Sequence, residues 1–527
     1  MTDKQLDLLL VNANARDGVY GTLADLAAVE PPVWAGLIAR YCLDRGFTVA
    51  ILDAEAEGLT VGETAARIWA QQPRLAAFCV YGHQPSASTQ CLPAASAVAR
   101  ELRKMTSTLM PYTIPTLALG THPSALPFET MREEPFNYVV EGEGHVTLMT
   151  LLERLRATPQ RARVGVDIPG LWQRSTPPEP VAFYNRRAPA LAADLDAELP
   201  GQAWGLLDLR RYRAHNWHLW TGDPAGGYAS VQTSLSCPFK CSFCCIAAPF
   251  GGAGQGYRKW SPANVAAQIA NLVLERGITN VKIPDEMFCL DRSHVWQICN
   301  LLIDMDLGEK LNMWAYARVD TVKDEQMLER MRRAGFRWLG IGIESASAHV
   351  RDGVEKGRFG NEQIVAAVRR VEAHDINVAA NYIFGLPDDT RESCAETLAL
   401  ALELDTAMAN FYCAMAYPGS ALHQQVLNER TMPGYGRLAQ GLHRLPEDPG
   451  GPGWLGYSQH AACSLPLATA TLSSEELLDI RDDAWLAYFR RPEFAAATRA
   501  RFGDRAAAEV ARMVSYGKPH RNHRKEQ

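Results

Sequence analysis

Ser236-Cys237-Pro238-Phe239-Lys240-Cys241-Ser242-Phe243-Cys244 places three thiols at the spacing C-x3-C-x2-C, directly after a segment (228–235) that reads as a β-strand. A loop this tight can wrap three sulfurs around one face of an iron–sulfur cube and leave the fourth iron without a protein ligand. Thiolates are the usual ligands of such clusters. Two plainer readings stand beside it, a zinc site and buried free cysteines. Structural zinc takes four closed ligands, often as two C-x2-C pairs, and no second pair lies downstream. Cys245 is a fourth sulfur, but as the neighbour of Cys244 it points elsewhere. The motif in this context favours the cluster.

The 527 residues suffice for two or three domains. A composition of 47% hydrophobic and 21% charged residues is that of an ordinary globular protein. The net charge of −6 gives no electrostatic case for nucleic acid. Twelve cysteines without a secretory context point to a reducing compartment. The first seven residues are polar, and the apolar run at 8–11 is strand-length, not a signal-peptide core. No window reaches the ~20 apolar residues that span a bilayer. The expectation is a soluble, cytoplasmic protein.

From the cysteine loop onward, strand and helix patterns alternate. Strands are expected at 230–235, 281–284, 313–317, 338–343, 378–384 and 411–416, with helices at 262–276, 295–305, 324–334, 362–374 and 391–404. Six such repeats predict a partial (βα)6 barrel of the TIM type, whose chemistry lies at the C-terminal mouth of its strands. Polar residues fall in phase with that mouth. Asp285 and Glu286 end the second strand, and Arg318 follows the third, placed to meet a carboxylate or to organise Asp320. Glu344 and Ser345 end the fourth, and Gly385 the fifth. Acidic residues at strand ends can also simply cap the next helix.

Cys237, Cys241 and Cys244, with aromatic Phe243 before the last, resemble the signature of the radical S-adenosylmethionine (SAM) enzymes. The resemblance covers about 228–416. It implies a [4Fe-4S] cluster on the three cysteines, SAM chelated to the open iron, and one-electron cleavage to a 5′-deoxyadenosyl radical. It implies further that Asp285 and Glu286 take the SAM ammonium, where a carboxylate suits a cation. Glu344 and Ser345 then face the ribose and methionine, while Gly385 and Phe243 lie beside the adenine.

The first ~155 residues read as a doubly wound α/β domain of flavodoxin or Rossmann type. Apolar strands are expected at 8–11, 49–53, 75–81, 115–119 and 138–140. The loops at their C-terminal ends carry Asp53, Glu55 and Gly58; Gly82 and His83; Gly120, Thr121 and His122; and Gly142, Glu143 and Gly144. No G-x-G-x-x-G follows the first strand, so a dinucleotide is not expected. The four loops together resemble the cobalamin-binding domain that precedes the radical SAM domain in one large subfamily. Many cobalamin proteins have D-x-H-x-x-G after the second strand, with the histidine on cobalt. Here the frame is Asp53-x-Glu55-x-x-Gly58. Cobalamin is therefore expected without a histidine lower ligand. His83 and His122 read either as corrin contacts or as ordinary loop histidines.

The expected organisation is a cobalamin-binding domain (1–156), a linker or small subdomain (157–225), a radical SAM domain (226–430) and a mixed or helical C-terminal extension (431–527). The aromatic run at 215–220 reads as packing or as active-site wall. In the extension, Tyr457, Gln459, His460 and Cys463 are substrate-side candidates, and Ser473 or Ser474 caps a helix over 474–490. The segment 176–180 reads as a turn, and the basic tail at 518–525 as a solvated end. The family resemblance implies a class B, cobalamin-dependent radical SAM methyltransferase. It would methylate an unactivated, sp3 carbon of a small-molecule biosynthetic intermediate, using the deoxyadenosyl radical and methylcobalamin. A cyclisation or rearrangement without methyl transfer is the alternative, and a cofactor-binding sensor the third reading. A flavodoxin-type electron donor and a monomeric state are expected.

Overall fold

Strands such as Leu8–Asn12 and Thr116–Gly120 are nearly unbroken apolar runs, buried along their length. Parallel strands covered by helices on both faces require this pattern. The computed structural model describes residues 5–82, 84–109, 114–157, 167–174, 183–184, 188–252, 254–431 and 444–517. His83, the 176–180 segment and the basic tail lie outside the described residues.

The first sheet contains β1 (Leu8–Asn12), β2 (Val49–Asp53), β3 (Leu75–Val80), β4 (Thr116–Gly120), β5 (Tyr138–Val140), β6 (Leu171–Arg174) and β7 (Phe183–Tyr184). Its order is 2-1-3-4-5-6-7. The first five strands are parallel in the flavodoxin order. Strands β6 and β7 join antiparallel, in a stretch that the sequence reads as linker. Strands of four and two residues are too short to show a period.

The second sheet is six-stranded and wholly parallel. It contains β8 (Tyr228–Ser230), β11 (Asn280–Ile283), β12 (Asn312–Arg318), β13 (Phe336–Glu344), β14 (Asn377–Phe384) and β15 (Met408–Cys413), in the order 15-14-13-12-11-8. It is the open barrel expected. One strand differs. The run read at 230–235 is split, and β9 (Ser234–Leu235) leaves the sheet to pair antiparallel with β10 (Arg258–Lys259). The break has a visible cause: Thr233 N–H, Thr233 Oγ1 and Ser234 Oγ all donate to the buried carboxylate of Asp285.

Helices form where the 3.6-residue period and capping residues coincide. Thr60 and Glu63 make a reciprocal capping box on Val61–Gln71, and Ser473 and Glu476 make another on Ser474–Phe489. The latter helix closes the barrel beside β15: Tyr488 Oη donates to Thr406 O at 2.6 Å, and its ring meets Phe411 edge-on. No described helix is long and apolar enough to cross a membrane.

The C-terminal ends of the two sheets face each other. Lys282 Nζ on β11 donates to both oxygens of Glu30, at 2.9 Å each, and both side chains are at most 5% exposed. Glu143, after β5, is fully buried. It accepts from Arg258 on β10 and, at 2.7 Å, from Ala192 N–H. Glu143 was expected at a cofactor; its carboxylate is instead engaged by these two partners. Removing one partner of a buried pair strands the other charge, at a cost of about 3–5 kcal/mol. Arg258 keeps 19% exposure and so loses less. Glu143→Ala should lower the thermal midpoint of unfolding and speed proteolysis between the two sheets. Glu143→Gln, which keeps the bond to Ala192, should do so more mildly.

Candidate active site

The cysteine loop is held in a conformation that its sequence makes demanding. Ser236 adopts φ +67°, and its hydroxyl donates to Gln255 O at 2.6 Å. Ser242 N–H reaches Val354 O, and Leu422 N–H reaches Ser242 O. The loop is thus pinned to segments after β13 and β15. Cys237, Cys241, Cys244 and Phe243 all line one cavity of about 1310 Å³. Cys245 lines it too. Among the described residues no three His, Cys, Asp or Glu side chains converge on one ion-sized point. Burial raises the Cys237 thiol to about 11. A metal that binds there must displace the proton, as thiolate ligation does. Arg318 Nη1 stands 3.8 Å from Cys241 Sγ, a cation beside a ligand that becomes anionic.

The strand-end residues divide sharply. Glu286 lines this cavity, has no hydrogen-bond partner among the described residues, and is raised to about 7 by burial, with Lys282 opposing. Asp285, its neighbour, points the other way into the Thr233 and Ser234 bonds. Arg318 grips Asp320 at 3.0 and 3.1 Å, donates to Lys356 O and lies 3.7 Å over the Phe239 ring. Glu344 faces the cavity and pairs with Lys356 at 2.6 Å. Its backbone is in the left-handed region (φ +68°), where β13 breaks register. Such strain in a non-glycine residue needs support from its surroundings. Gly342 helps to supply it, since a Cβ there would stand 2.5 Å from Glu344 Oε1 and 2.7 Å from Lys356 Nζ. Ser345 is buried against Thr397, and the Gly385 turn is bound by Asp389; neither lines the cavity.

A second cavity, of about 1300 Å³, lies over the ends of the first sheet. Glu55, Gly82 and Thr121 line it, and no described histidine does. Asp53 caps the turn after β2 and binds Asn12 and Tyr212, so it shapes the loop from behind. Gly58 ends that turn in the left-handed conformation. Gly120 is fixed by proximity: a Cβ there would fall 1.9 Å from Val80 O. His122 is buried under Trp454 and bound to Thr89 through Nδ1, a packing histidine held neutral by burial. Gly142 N–H donates to Ser124 Oγ at 3.0 Å, and Gly142 and Gly144 both take positive φ around the Glu143 turn. Tyr81 Oη and Gln232 Oε1, on residues of this wall, are buried without partners. Asn12, Gln84 and Gln90 stand among the apolar side chains of this wall, a lining that suits a large ligand with an amide-rich rim, as a corrin has.

A third cavity, of about 1720 Å³, opens inside the barrel. Gln459 and His460 line it, as the sequence suggests; Tyr457 and Cys463 do not. Tyr457 instead donates to Glu447 at 2.7 Å. The aromatic run both packs and lines: Trp217 sits edge-on to Trp314 and Trp338 and still borders the cavity. Sequence reasoning missed Lys356, Glu30 and Lys282. Lys282 alone left a signal, a charge inside the buried strand Val281-Lys282-Ile283. The three cavities share walls. Gln84 borders all three, and Glu286 borders the first two described.

Residues 231–401 match the family described as the Radical SAM superfamily. An uncharacterized methyltransferase, PH0819, of Pyrococcus horikoshii is 28% identical over 75% of this chain and 78% of its own length. An anaerobic magnesium-protoporphyrin IX monomethyl ester cyclase of Cereibacter sphaeroides is 25% identical over 77% of this chain and 62% of its own length. In fold, the chain resembles the radical SAM methyltransferase TsrM of Kitasatospora setae, solved with cobalamin and a [4Fe-4S] cluster bound. The TM-score is 0.64 at 19% identity, over 92% of this chain and 89% of the other. Residues 231–401 thus carry a Radical SAM domain, with the cysteine loop at the mouth of the second sheet, and the two-sheet fold of the chain is similar to that of TsrM.

Proposed function

We propose that this protein is a cobalamin-dependent radical SAM methyltransferase acting on an unactivated, sp3 carbon of a small-molecule intermediate. One observation carries the reading: a cysteine-lined cavity, a cavity over a Rossmann-type sheet and a cavity inside the barrel meet at Gln84. When bound, the cluster with SAM supplies a carbon-centred radical, and cobalamin supplies the methyl group. The protein's task is to place three reacting groups in one enclosed space.

The roles of its residues follow from position. Cys237, Cys241 and Cys244 would hold the cluster, with Arg318 and Lys356 as nearby positive charge. Glu286 would take the SAM ammonium, and Glu344, fixed by Lys356, would meet its polar groups. Phe243 would cover one side of the adenine. Asp285, Ser345 and Gly385 would shape the strand ends from behind. Glu55, Gly82 and Thr121 would border the corrin, with Gly120, close against Val80 O, and Gly142, close against Pro189, shaping the loops behind them. A reductant of flavodoxin type, a cytoplasmic setting and a monomer fit this reading. The Cereibacter relative supports a second one, cyclisation without methyl transfer.

Anaerobic reconstitution with iron, sulfide, cobalamin and methyl-labelled SAM separates them. Label in the product establishes methylation; deoxyadenosine formed with unlabelled product establishes the cyclase-like reaction. Glu286→Gln should weaken SAM binding about 10-fold or more, because a hydrogen bond to a charged group contributes about 1.5–3 kcal/mol. The variant should keep its iron content; unchanged SAM affinity would remove Glu286 from the site. Bound cobalamin should show an absorption spectrum without the signature of a histidine ligand. Glu55→His should shift that spectrum toward the histidine-ligated form, and an unaltered spectrum would place Glu55 away from cobalt.

A further inference from the structure

The segment that supplies the cluster cysteines goes on directly to wall the other cofactor cavity. Cys237, Cys241 and Cys244 line the cluster cavity; Ile246, Pro249 and Phe250 line the cavity over the first sheet, and Ile246 borders both. Short backbone bonds carry the connection. Cys244 N–H donates to Cys241 O at 3.0 Å, Ala248 N–H to Cys245 O at 3.2 Å, and Phe250 N–H to Ala247 O at 2.9 Å. Successive turns of this kind leave little slack between the last cysteine and Phe250. Phe250 is buried, and its ring centre lies 6.1 Å from that of Trp34, on the helix Val33–Leu43. Trp34 in turn stacks on Tyr81 at 5.0 Å, and both rings line the same cavity as Phe250. The guanidinium of Arg258, bound to Glu143, stands 5.8 Å from the Phe250 ring centre.

Beyond Phe250 the sequence is Gly251-Gly252-Ala253-Gly254-Gln255-Gly256, and all four glycines take positive φ. Glycine gives up more backbone freedom on ordering than any other residue, so this stretch adds little stiffness of its own. What holds the preceding turns is whatever packs on them. We propose that Ile246 and Phe250 are positioning residues through which the two cofactors bind cooperatively. A corrin seated on Ile246, Pro249 and Phe250 holds the cysteine loop in its cluster-binding arrangement, and the cluster holds that wall in turn. This rests on the cofactors proposed for the two cavities and adds how they are loaded. Whichever group binds first bears the cost of ordering the segment, and the second meets chain already ordered. Linkage makes the effect reciprocal, and couplings of this kind commonly reach about 5- to 150-fold in affinity.

The test measures cobalamin affinity by anaerobic absorbance titration with hydroxocobalamin, in protein with and without its iron–sulfur cluster. Iron and sulfide content define the two states, and circular dichroism checks that the iron-free protein is folded. The cluster-loaded protein should bind the corrinoid at least about 5-fold more tightly. Conversely, bound cobalamin should slow removal of iron by a chelator at least about 5-fold. Ile246→Ala and Phe250→Leu should each bring the affinity ratio to within about 2-fold of one, with both cofactors still bound. Val19→Ala, in the same cavity but outside the cysteine segment, should weaken cobalamin in both states and keep the ratio. A ratio of one in the unaltered protein overturns the proposal. So does a ratio that survives both the Ile246 and the Phe250 substitution, or one that falls equally in Val19→Ala, as a merely structural role would give. Slower iron loss without any change in cobalamin affinity marks shielding from the chelator and also overturns it. Protein that takes up no cobalamin or no cluster removes the cofactor assignment and the coupling together. Protein that binds both independently keeps the assignment and discards the coupling alone.

Discussion

A carboxylate and an ammonium with almost no access to water, Glu30 and Lys282, tie the two sheets together at the mouth they share. Burying two charges gives up their hydration, and the mutual attraction only offsets that loss when the geometry is good. Here Lys282 Nζ is equidistant from both carboxylate oxygens and also lies 5.1 Å over the Trp314 ring. Such a pair adds little net stability over an apolar contact. It does penalise every arrangement of the two sheets in which either charge loses its partner. Glu30 borders two of the cavities and Lys282 one of these, so the pair that fixes the facing of the sheets is also part of the wall. One apolar core cluster runs through both halves, from Leu8 and Trp34 to Phe250 and Trp260, and the polar pair lies beside it where the cavities share lining residues.

The strands of both sheets were legible because buried parallel strands have to be largely apolar, as Leu8–Asn12, Leu75–Val80 and Thr116–Gly120 are in the first sheet and Trp338–Ile343 within Phe336–Glu344 is in the second. The cysteine loop was legible because few arrangements put three thiols on one tight turn. Strands β6 and β7 were not, since two to four residues carry no period. The split of the first barrel strand was not, because its cause is a carboxylate some fifty residues downstream, at Asp285. Local pattern cannot report a hydrogen bond across that separation. Lys356 was invisible for the same reason: its position is set by Glu344 and the room left at Gly342, and it belongs to no motif.

Adjacent residues at a strand end show the limit of reading by position. Asp285 and Glu286 share charge and place, and both are pushed up in pKa by burial, Asp285 to about 6 and Glu286 to about 7. Both lie just past the end of β11 (Asn280–Ile283), where the chain turns and the two side chains diverge. One therefore braces the chain where β8 gives way to the cysteine loop, and the other borders the cavity. The two tasks are coupled. The Asp285 bonds to Thr233 and Ser234 bend the chain out of the second sheet just before Cys237, and that bend sets the direction in which the cysteine loop leaves.

Carbon radicals react with whatever lies nearest, so a protein that handles one has to control neighbours more than it has to supply catalytic groups. The interior here is consistent with that demand. Trp217, Trp314, Phe411 and Trp485 line it, and the helix Ser474–Phe489 covers the open side of the barrel beside β15. Closing a site to water strengthens each remaining electrostatic contact and removes competing reactants. Enclosure also means that any polar group left unmatched in the wall acts with full force on what enters. Asn381 and Asn410 bind each other, as do Glu30 and Lys282, so these four polar side chains of the wall are already engaged within the protein.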